Sequence, residues 1–564
     1  MKSSFPIPVR RHGARLLLEL DLTRGLLESA PASPIEALRA MHVPSLRGVV
    51  EALRRAAGDD RVAGLVAHVG AKQPTLAQSN ELRAAVATFR GSGKPAVCWS
   101  ESYGEMGPGN VGYHLATAFD EIWLQPTGDV GLVGVAAQAV FVRGTLDKLG
   151  VEPQFGQRHE YKTAADTFLR SSMTEANREM VTRLVDSAME TLVHDVAEGR
   201  GLDESTVREA VDAAPLHAEE ALARKLVDRV GYRDEVYATL RERLGDVELK
   251  YVDRYGKGGL AQAGASVARR GRKPVVAVVH ASGPIHLGRS SSTPLSGRSV
   301  GSDTIGTALR TVAKDDAVKA VVLRVDSPGG SHVASDAIRR EVLALRRTGR
   351  PVVASMASVA ASGGYYIAMP ADRVLASAGT ITGSIGVFAG KQVVREMLEK
   401  AGVRRESVVA GRYADMFSSD RPFDEDEWKR LEAWLDRVYD DFTTKAASDR
   451  GMPLEDLREV ARGRVWTGAD ALRHGLVDEL GGIEQAIEVA CGRAGVDRGE
   501  VELRTMPKPK PLERLLPVEN SESPAAASLA DALPGLDGVL DRLFLAAGLR
   551  SSGVLSMPVE WRLR

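Results

Sequence analysis

Cysteine is almost absent: Cys98 and Cys491 are the two such residues in 564. That excludes a disulfide framework and any cysteine-rich zinc site. Cys98 lies in the apolar run Pro95–Trp99 and Cys491 in a helical pattern, so both read as buried, inert residues. An excess of one charge is lacking too. Lys plus Arg total 74 against 75 for Asp plus Glu, a formal net charge of -1. Such a balance gives no overall basicity for nucleic-acid binding and no acidic tail. No His-Glu-x-x-His, no paired cysteine ligands and no Walker-type glycine loop occurs, so neither a metal nor any other cofactor is expected. Long apolar runs are missing as well. Leu16-Leu17-Leu18 is broken at once by Glu19 and Asp21. A spanning helix needs about 20 apolar residues, and a signal-peptide core roughly 7–15. A chain that begins as a soluble one is expected, cytoplasmic or peripheral at the cytoplasmic membrane. The remaining composition, 44% hydrophobic and 26% charged, is that of a globular protein with ample core residues.

What the chain does have is a long internal repeat. Asp59–Val66 resembles Asp315–Val322, 256 residues later. Gly112-Tyr113 matches Gly364-Tyr365, and Leu149–Val151 matches Ala401–Val403, both at an offset of 252. Ala221–Asp228 matches Ala471–Asp478 at 250. The period is far too long for a solenoid, so a whole domain is duplicated. Each copy alternates apolar strands with amphipathic helices, which predicts a layered α/β fold. In the second copy strands are expected at Ala320–Val325, Pro351–Ser355 and Arg373–Ala376. Helices are expected at Ala334–Arg346, from Gly363 and over Asp424–Ala447. The resulting division is an N-terminal extension (1–50), a first repeat (51–255), a Gly/Ala/Arg-rich linker (256–273), a second repeat (274–505) and a C-terminal extension (506–564). The first 50 or so residues have no evident counterpart in the second copy. Gly288–Ser302 reads as a loop, Pro507–Pro511 as an extended spacer, and Leu536–Leu545 as a short amphipathic helix that packs or touches a membrane surface.

Chemistry sits where the copies differ. The second contains Asp326-Ser-Pro-Gly-Gly330 after a strand and Ala361-Ser-Gly-Gly-Tyr-Tyr366 between a strand and a helix. A serine among small residues at a strand-to-helix turn is exposed for attack. The Gly363 amide at the helix start, with that of Gly330 from the neighbouring turn, faces a developing oxyanion. At the 252 offset Ser362 corresponds to Asn110, and Gly70–Pro74 stands in place of the 326–330 turn. In the other direction, Tyr161-Lys162 corresponds to Tyr413-Ala414. One copy thus keeps a serine without a lysine and the other a lysine without a serine, as expected of one site assembled from both. Lys162 becomes a base only if burial lowers its pKa, at roughly 1.4 kcal/mol per unit, with Asp166 kept from facing the amine. Ser384, aligned with Leu132, appears only where Ser362 does and is placed to orient the lysine.

Ser327–Gly330, Ala361–Tyr366, Gly383-Ser-Ile-Gly386 and Arg464-Val-Trp-Thr-Gly468 together resemble the signal peptide peptidase A (protease IV) family in its long, duplicated form, over about residues 50–505. The resemblance implies tandem Clp protease/crotonase-like domains, each a layered β-α superhelix. It further implies a serine endopeptidase with a Ser362–Lys162 dyad and a hydroxyl at the Ser384 position. A homo-oligomer, commonly a tetramer, and cleavage of remnant signal peptides or other apolar peptides are implied too. Trp466–Asp478 reads as packing. Family members usually carry a membrane anchor, which this chain does not show, so membrane association is expected to be peripheral. Three rivals remain: a histidine base at His332 or His159, a crotonase-like acyl-CoA enzyme, and an inactive membrane-associated scaffold.

Overall fold

Continuous apolar strands such as Val318–Ser327, buried on nearly every residue, need cover on both faces, and a parallel sheet between helices supplies it. The computed structural model describes residues 15–29, 43–105, 107–256, 273–293, 297–507 and 555–556. In the first half, β1 (Arg15–Asp21), β2 (Val62–His68), β3 (Ala96–Ser100), β4 (Glu121–Leu124), β6 (Arg229–Val230) and β7 (Val247–Tyr251) form an all-parallel sheet, order β6-β4-β3-β2-β1-β7. Strand β5 (Glu152–Gln157) leaves this sheet. Three helices matter here: α1 (Leu46–Ala57), α2 (Leu76–Arg90) and α3 (Asn110–Ala116). A 26-residue α4 (Glu175–Arg200) follows.

The second half repeats the plan. It contributes β8 (Val275–Ser282), β9 (Val318–Ser327), β10 (Gly329–Gly330), β11 (Val352–Ala361), β12 (Arg373–Ala376), β13 (Ile381–Gly383), β14 (Phe388–Val393), β15 (Val465–Thr467), β16 (Glu479–Leu480) and β17 (Glu502–Met506). Its helices α5 (His332–Arg346), α6 (Gly363–Ala368) and α7 (Glu425–Arg450) are followed by further short ones. The run β16-β12-β11-β9-β8-β17 matches the first sheet strand for strand. Helix α7 also has 26 residues, 250 positions after α4.

One expectation is corrected. Arg15–Asp21, assigned from sequence to an extension without counterpart, pairs in parallel with β2 and β7. It holds the place that β8 holds in the second sheet. Burial constrains such a strand to be apolar but leaves its identity free, so RLLLELD and VVAVVHAS share a role and hardly a residue. Helix α1 likewise runs across the expected boundary at residue 50. Cys98 and Cys491 are buried and free. Residues 257–272 of the expected linker and 508–554 of the C-terminal extension, with the Leu536–Leu545 helix, lie outside the described residues.

Many contacts join the halves, and two of them bear on the site. Arg324 of β9, fully buried, donates to Glu28 (2.7 Å), Glu81 (2.6 Å) and Ser355 (2.8 Å). Glu81 in turn accepts from the Ile483 amide at 2.8 Å. More directly, β5 of the first half pairs antiparallel with β14 of the second, Glu152↔Val393 through Gln157↔Phe388. Gly390 lies opposite Phe155 in this ribbon, and a Cβ there would come within 2.0 Å of the Gln154 carbonyl oxygen. Gly390→Val is therefore expected to displace the segment that leads to Lys162. A displacement of order 1 Å costs about 100-fold in rate. For the peptidase activity that the resemblance implies, turnover measured beside circular dichroism should show that loss in a chain that still folds.

Candidate active site

Strand β11 ends at Ala361 and α6 begins at Gly363, with Ser362 on the corner between them. Its backbone is strained, φ 56° and ψ -115°, a region that ordinary side chains rarely adopt. Two hydrogen bonds hold it there. The Ser362 amide donates to the Gly383 carbonyl at 2.8 Å, and the Tyr366 amide donates to the Ser362 carbonyl at 2.9 Å. The turn of β10 packs against this corner. Gly330 has φ 155°, and a Cβ on it would lie 2.0 Å from the Ile285 carbonyl oxygen. A Cβ on Gly363 would lie 3.1 Å from both the Gly329 Cα and the Gly330 nitrogen. Only glycine allows the two backbones to approach so closely.

The ribbon from β5 delivers the lysine. The Arg158 amide extends the pairing by donating to the Val387 carbonyl at 3.0 Å, and the chain then turns Lys162 inward. Its Nζ lies 2.9 Å from Ser362 Oγ, 2.9 Å from Ser384 Oγ and 3.0 Å from the Ser384 carbonyl oxygen. Lys162 is fully buried. Burial alone lowers its pKa to about 7, because the charged form is the one that loses hydration. Asp166 exerts no pull on it. The Asp166 carboxyl is itself pushed upward by burial, and its Oδ2 has no hydrogen-bond partner among the described residues.

A neutral amine has two N–H groups and one lone pair. The two oxygens of Ser384 accept the N–H groups, and the lone pair is left facing the Ser362 hydroxyl. Ser384 is held for this at φ 51°, its amide donating to the Arg464 carbonyl at 2.7 Å. Gly463 and Gly386 close the walls. A Cβ on the first would lie 2.5 Å from the Lys162 backbone nitrogen, and on the second 3.2 Å from Lys162 Cδ. Sequence reading stopped at Trp466–Asp478 as packing. The Gly463-Arg464 pair just before it was the missed part of the lysine pocket, and its signal was the start of the Arg464–Gly468 motif.

Both histidines are engaged elsewhere. His332 Nε2 lies 2.9 Å from Asp441, which also accepts from Tyr366 at 2.8 Å. The His159 ring sits against Tyr439, centroids 4.5 Å apart. In the first half the corresponding corner is filled. Asn110 Nδ2 donates to the Gly134 carbonyl at 2.8 Å, and Gln73 Oε1 accepts from the Gly112 amide at 3.1 Å. Leu132, at the Ser384 position, is core. Among the described residues one group, His194, Asp195 and Glu198, brings ligand atoms within 4.8 Å of one another. Asp195 there already accepts from the buried His114. No helix among the described residues is long and apolar enough to cross a membrane.

With this geometry in place, comparison with known proteins is informative. The sequence model of Peptidase family S49 matches residues 88–248 and 344–497. Serine protease SPPA, chloroplastic, of Arabidopsis thaliana is 32% identical over 90% of this chain and 74% of its own length. Protease 4 of Salmonella typhi is 33% identical over 79% of this chain and 72% of its own. Among solved structures, a membrane-bound stomatin-specific protease in complex with a substrate peptide is 18% identical. That match covers 42% of this chain and 94% of the other at a TM-score of 0.27.

A lysine serving as base acts only when neutral, so with Lys162 in that role kcat/KM is expected to rise about tenfold per pH unit up to about 7 and level off above it. Ser384→Ala should lower that plateau by about 100-fold with KM little changed, since it misdirects the lone pair without touching the substrate. Steady-state pH profiles of the two proteins check both expectations.

Proposed function

The chain belongs to Peptidase family S49 and is a serine peptidase, and from that premise we propose that Ser362 is its nucleophile and Lys162 its general base. The observation that carries this reading is the placement of Nζ, within 3.0 Å of Ser362 Oγ and of both Ser384 oxygens. In the first step the Ser362 hydroxyl passes its proton to Nζ as Oγ bonds to the peptide carbonyl carbon. The Gly330 and Gly363 amides donate to the resulting oxyanion. Collapse of the intermediate breaks the C–N bond, and the lysine ammonium returns the proton to the departing amine. Water, deprotonated by the same amine, then releases the acyl group from Ser362. Ser384 orients the base throughout and does not touch the substrate.

The substrates of this reading are peptides with small or apolar side chains, remnant signal peptides among them. The Ala, Gly and Val residues around Ser362 leave little room or polarity for others. The functional assembly is a homotetramer. In support, Val403, Val408, Val409 and Phe417 stand exposed on one stretch of the second half, apolar surface that another copy would cover. Contact with a membrane is peripheral. The peptidase units are residues 51–255 and 274–505, the first completed by β1.

Cleavage of an apolar fluorogenic peptide by wild type, Ser362→Ala, Lys162→Ala and His332→Ala tests the assignment. The first two substitutions are expected to lower kcat by 1,000-fold or more, and the third by less than tenfold. A fluorophosphonate probe should label wild type on Ser362 and leave Ser362→Ala unlabelled. Equal turnover by all four proteins would remove the proposal.

A further inference from the structure

The two amides read as oxyanion donors belong to different elements. Gly330 ends β10, and α5 starts two residues later at His332. Gly363 starts α6, whose Tyr366 amide donates to the Ser362 carbonyl. A pair of donors serves one oxyanion only when both reach it at about 3 Å, because hydrogen bonds weaken steeply with distance and angle. Their separation therefore depends on how the starts of α5 and α6 are held together, and α7 reaches both. Asp441 Oδ2 lies 2.9 Å from His332 Nε2 and accepts from the Tyr366 hydroxyl at 2.8 Å. We propose that Asp441 is a positioning residue, one carboxylate oxygen clamping His332 and Tyr366 so that the Gly330 and Gly363 amides converge on the oxyanion. The inference rests on the reading of those two amides as donors and adds the group that sets their spacing.

Three observations fit Asp441 for this role. The first is its charge. Burial pushes the Asp441 carboxyl up, but the hydrogen bonds from Lys445, His332 and Tyr366 outweigh burial and hold it below the usual carboxylate range. An ionised carboxylate only accepts, so His332 carries its proton on Nε2 and serves as a donor. The second is a parallel tie one helical turn along. Lys445 Nζ lies 2.8 Å from Asp441 Oδ1 and 2.7 Å from Asp336 of α5, so α7 holds α5 at two successive turns. The third is packing. The fully buried Tyr366 ring meets His332 edge-on, centroids 5.6 Å apart, and lies 4.8 Å from the Phe442 ring. A rigid ring so enclosed passes any movement of Asp441 to the α6 backbone. At the other end, a Cβ on Gly363 would lie 2.8 Å from Ser335 Oγ of α5. The two helices already stand at closest approach, and loss of the clamp lets them part.

The test compares the full wild-type chain with Asp441→Ala, Asp441→Asn and Tyr366→Phe. With an apolar fluorogenic peptide, Asp441→Ala is expected to lower kcat about 30-fold, less than the loss of a whole donor, with KM changed less than about twofold. Asp441→Asn keeps an acceptor oxygen in place of Oδ2 and should stay within about threefold of wild type. A peptide aldehyde, whose carbonyl oxygen takes the oxyanion position once Ser362 adds to it, should bind Asp441→Ala about 30-fold more weakly. The matching peptide alcohol has no carbonyl and should bind both proteins alike. The inflection of kcat/KM at about pH 7 should stay where it is, because Lys162 keeps its pocket. Tyr366→Phe should lose about tenfold, and adding it to Asp441→Ala should cost less than about threefold more, since both act through one oxygen. Aldehyde and alcohol weakened equally, a displaced inflection, or fully additive losses would each overturn the clamp and leave Ser362 and Lys162 standing. So would a kcat for Tyr366→Phe within about twofold of wild type, a result that decides even where Asp441→Ala fails to fold. Undiminished turnover by Ser362→Ala would overturn the reading of the site itself, and the inference with it.

Discussion

An amine buried without a countercharge is the constraint around which the rest is arranged. Holding Lys162 at a pKa of about 7, down from 10.5, costs about 5 kcal/mol of the preference that the free side chain has for its charged form. The cost is borne by the contacts that press the halves together: the β5–β14 ribbon, the Arg324 network with Glu28 and Glu81, and the pairs between α4 and the end of the second half. Those pairs include Arg183 with Asp470 at 2.8 Å and Ser187 with Thr467 at 2.7 Å. Each takes one partner from either copy. Separated halves would expose the lysine to water, and its pKa would return to the ordinary range.

Duplication explains why the site exists once. Two copies of one sheet provide two strand-to-helix corners, and Lys162 reaches the second of them. In the first half the vacant corner is closed by amide side chains, Asn110 onto Gly134 and Gln73 onto Gly112. Asn and Gln carry both donor and acceptor, so they satisfy the backbone groups that the other corner leaves open for substrate. Arg324 shows the converse in the second half, a buried cation kept because two carboxylates of the other copy meet it. Removing either copy's contribution would strand a buried charge.

Legibility from sequence followed what each residue type is forced to do. Strands β9, β11 and β12 and helices α5 and α7 were readable because burial and periodicity constrain every position in them. Ser362, Gly330 and Gly363 were readable because a strained corner and a close backbone approach admit few residues. Lys162 was a different matter. Alone it is a lysine among charged neighbours, and only the complementary differences between the copies singled it out. Strand β1 escaped notice because an edge-to-centre strand demands apolar character and little else. Gly463 escaped because its neighbour is Lys162, 301 positions earlier in the chain, and no local pattern announces a contact of that range. The β5–β14 ribbon was hidden for the same reason, and its equivalents in the opposite copies, around 136–141 and 404–409, form no such strands.

The two sides of the site are also made of different material, and this divides their roles. On the proposed base side the atoms belong to side chains, Lys162 and Ser384, in a fully buried pocket walled by Gly386 and Gly463. On the proposed oxyanion side they belong to main chain, Gly330 and Gly363, next to a strand edge of the kind that extended peptides join. Main-chain recognition does not discriminate by sequence, so selectivity must come from size and access.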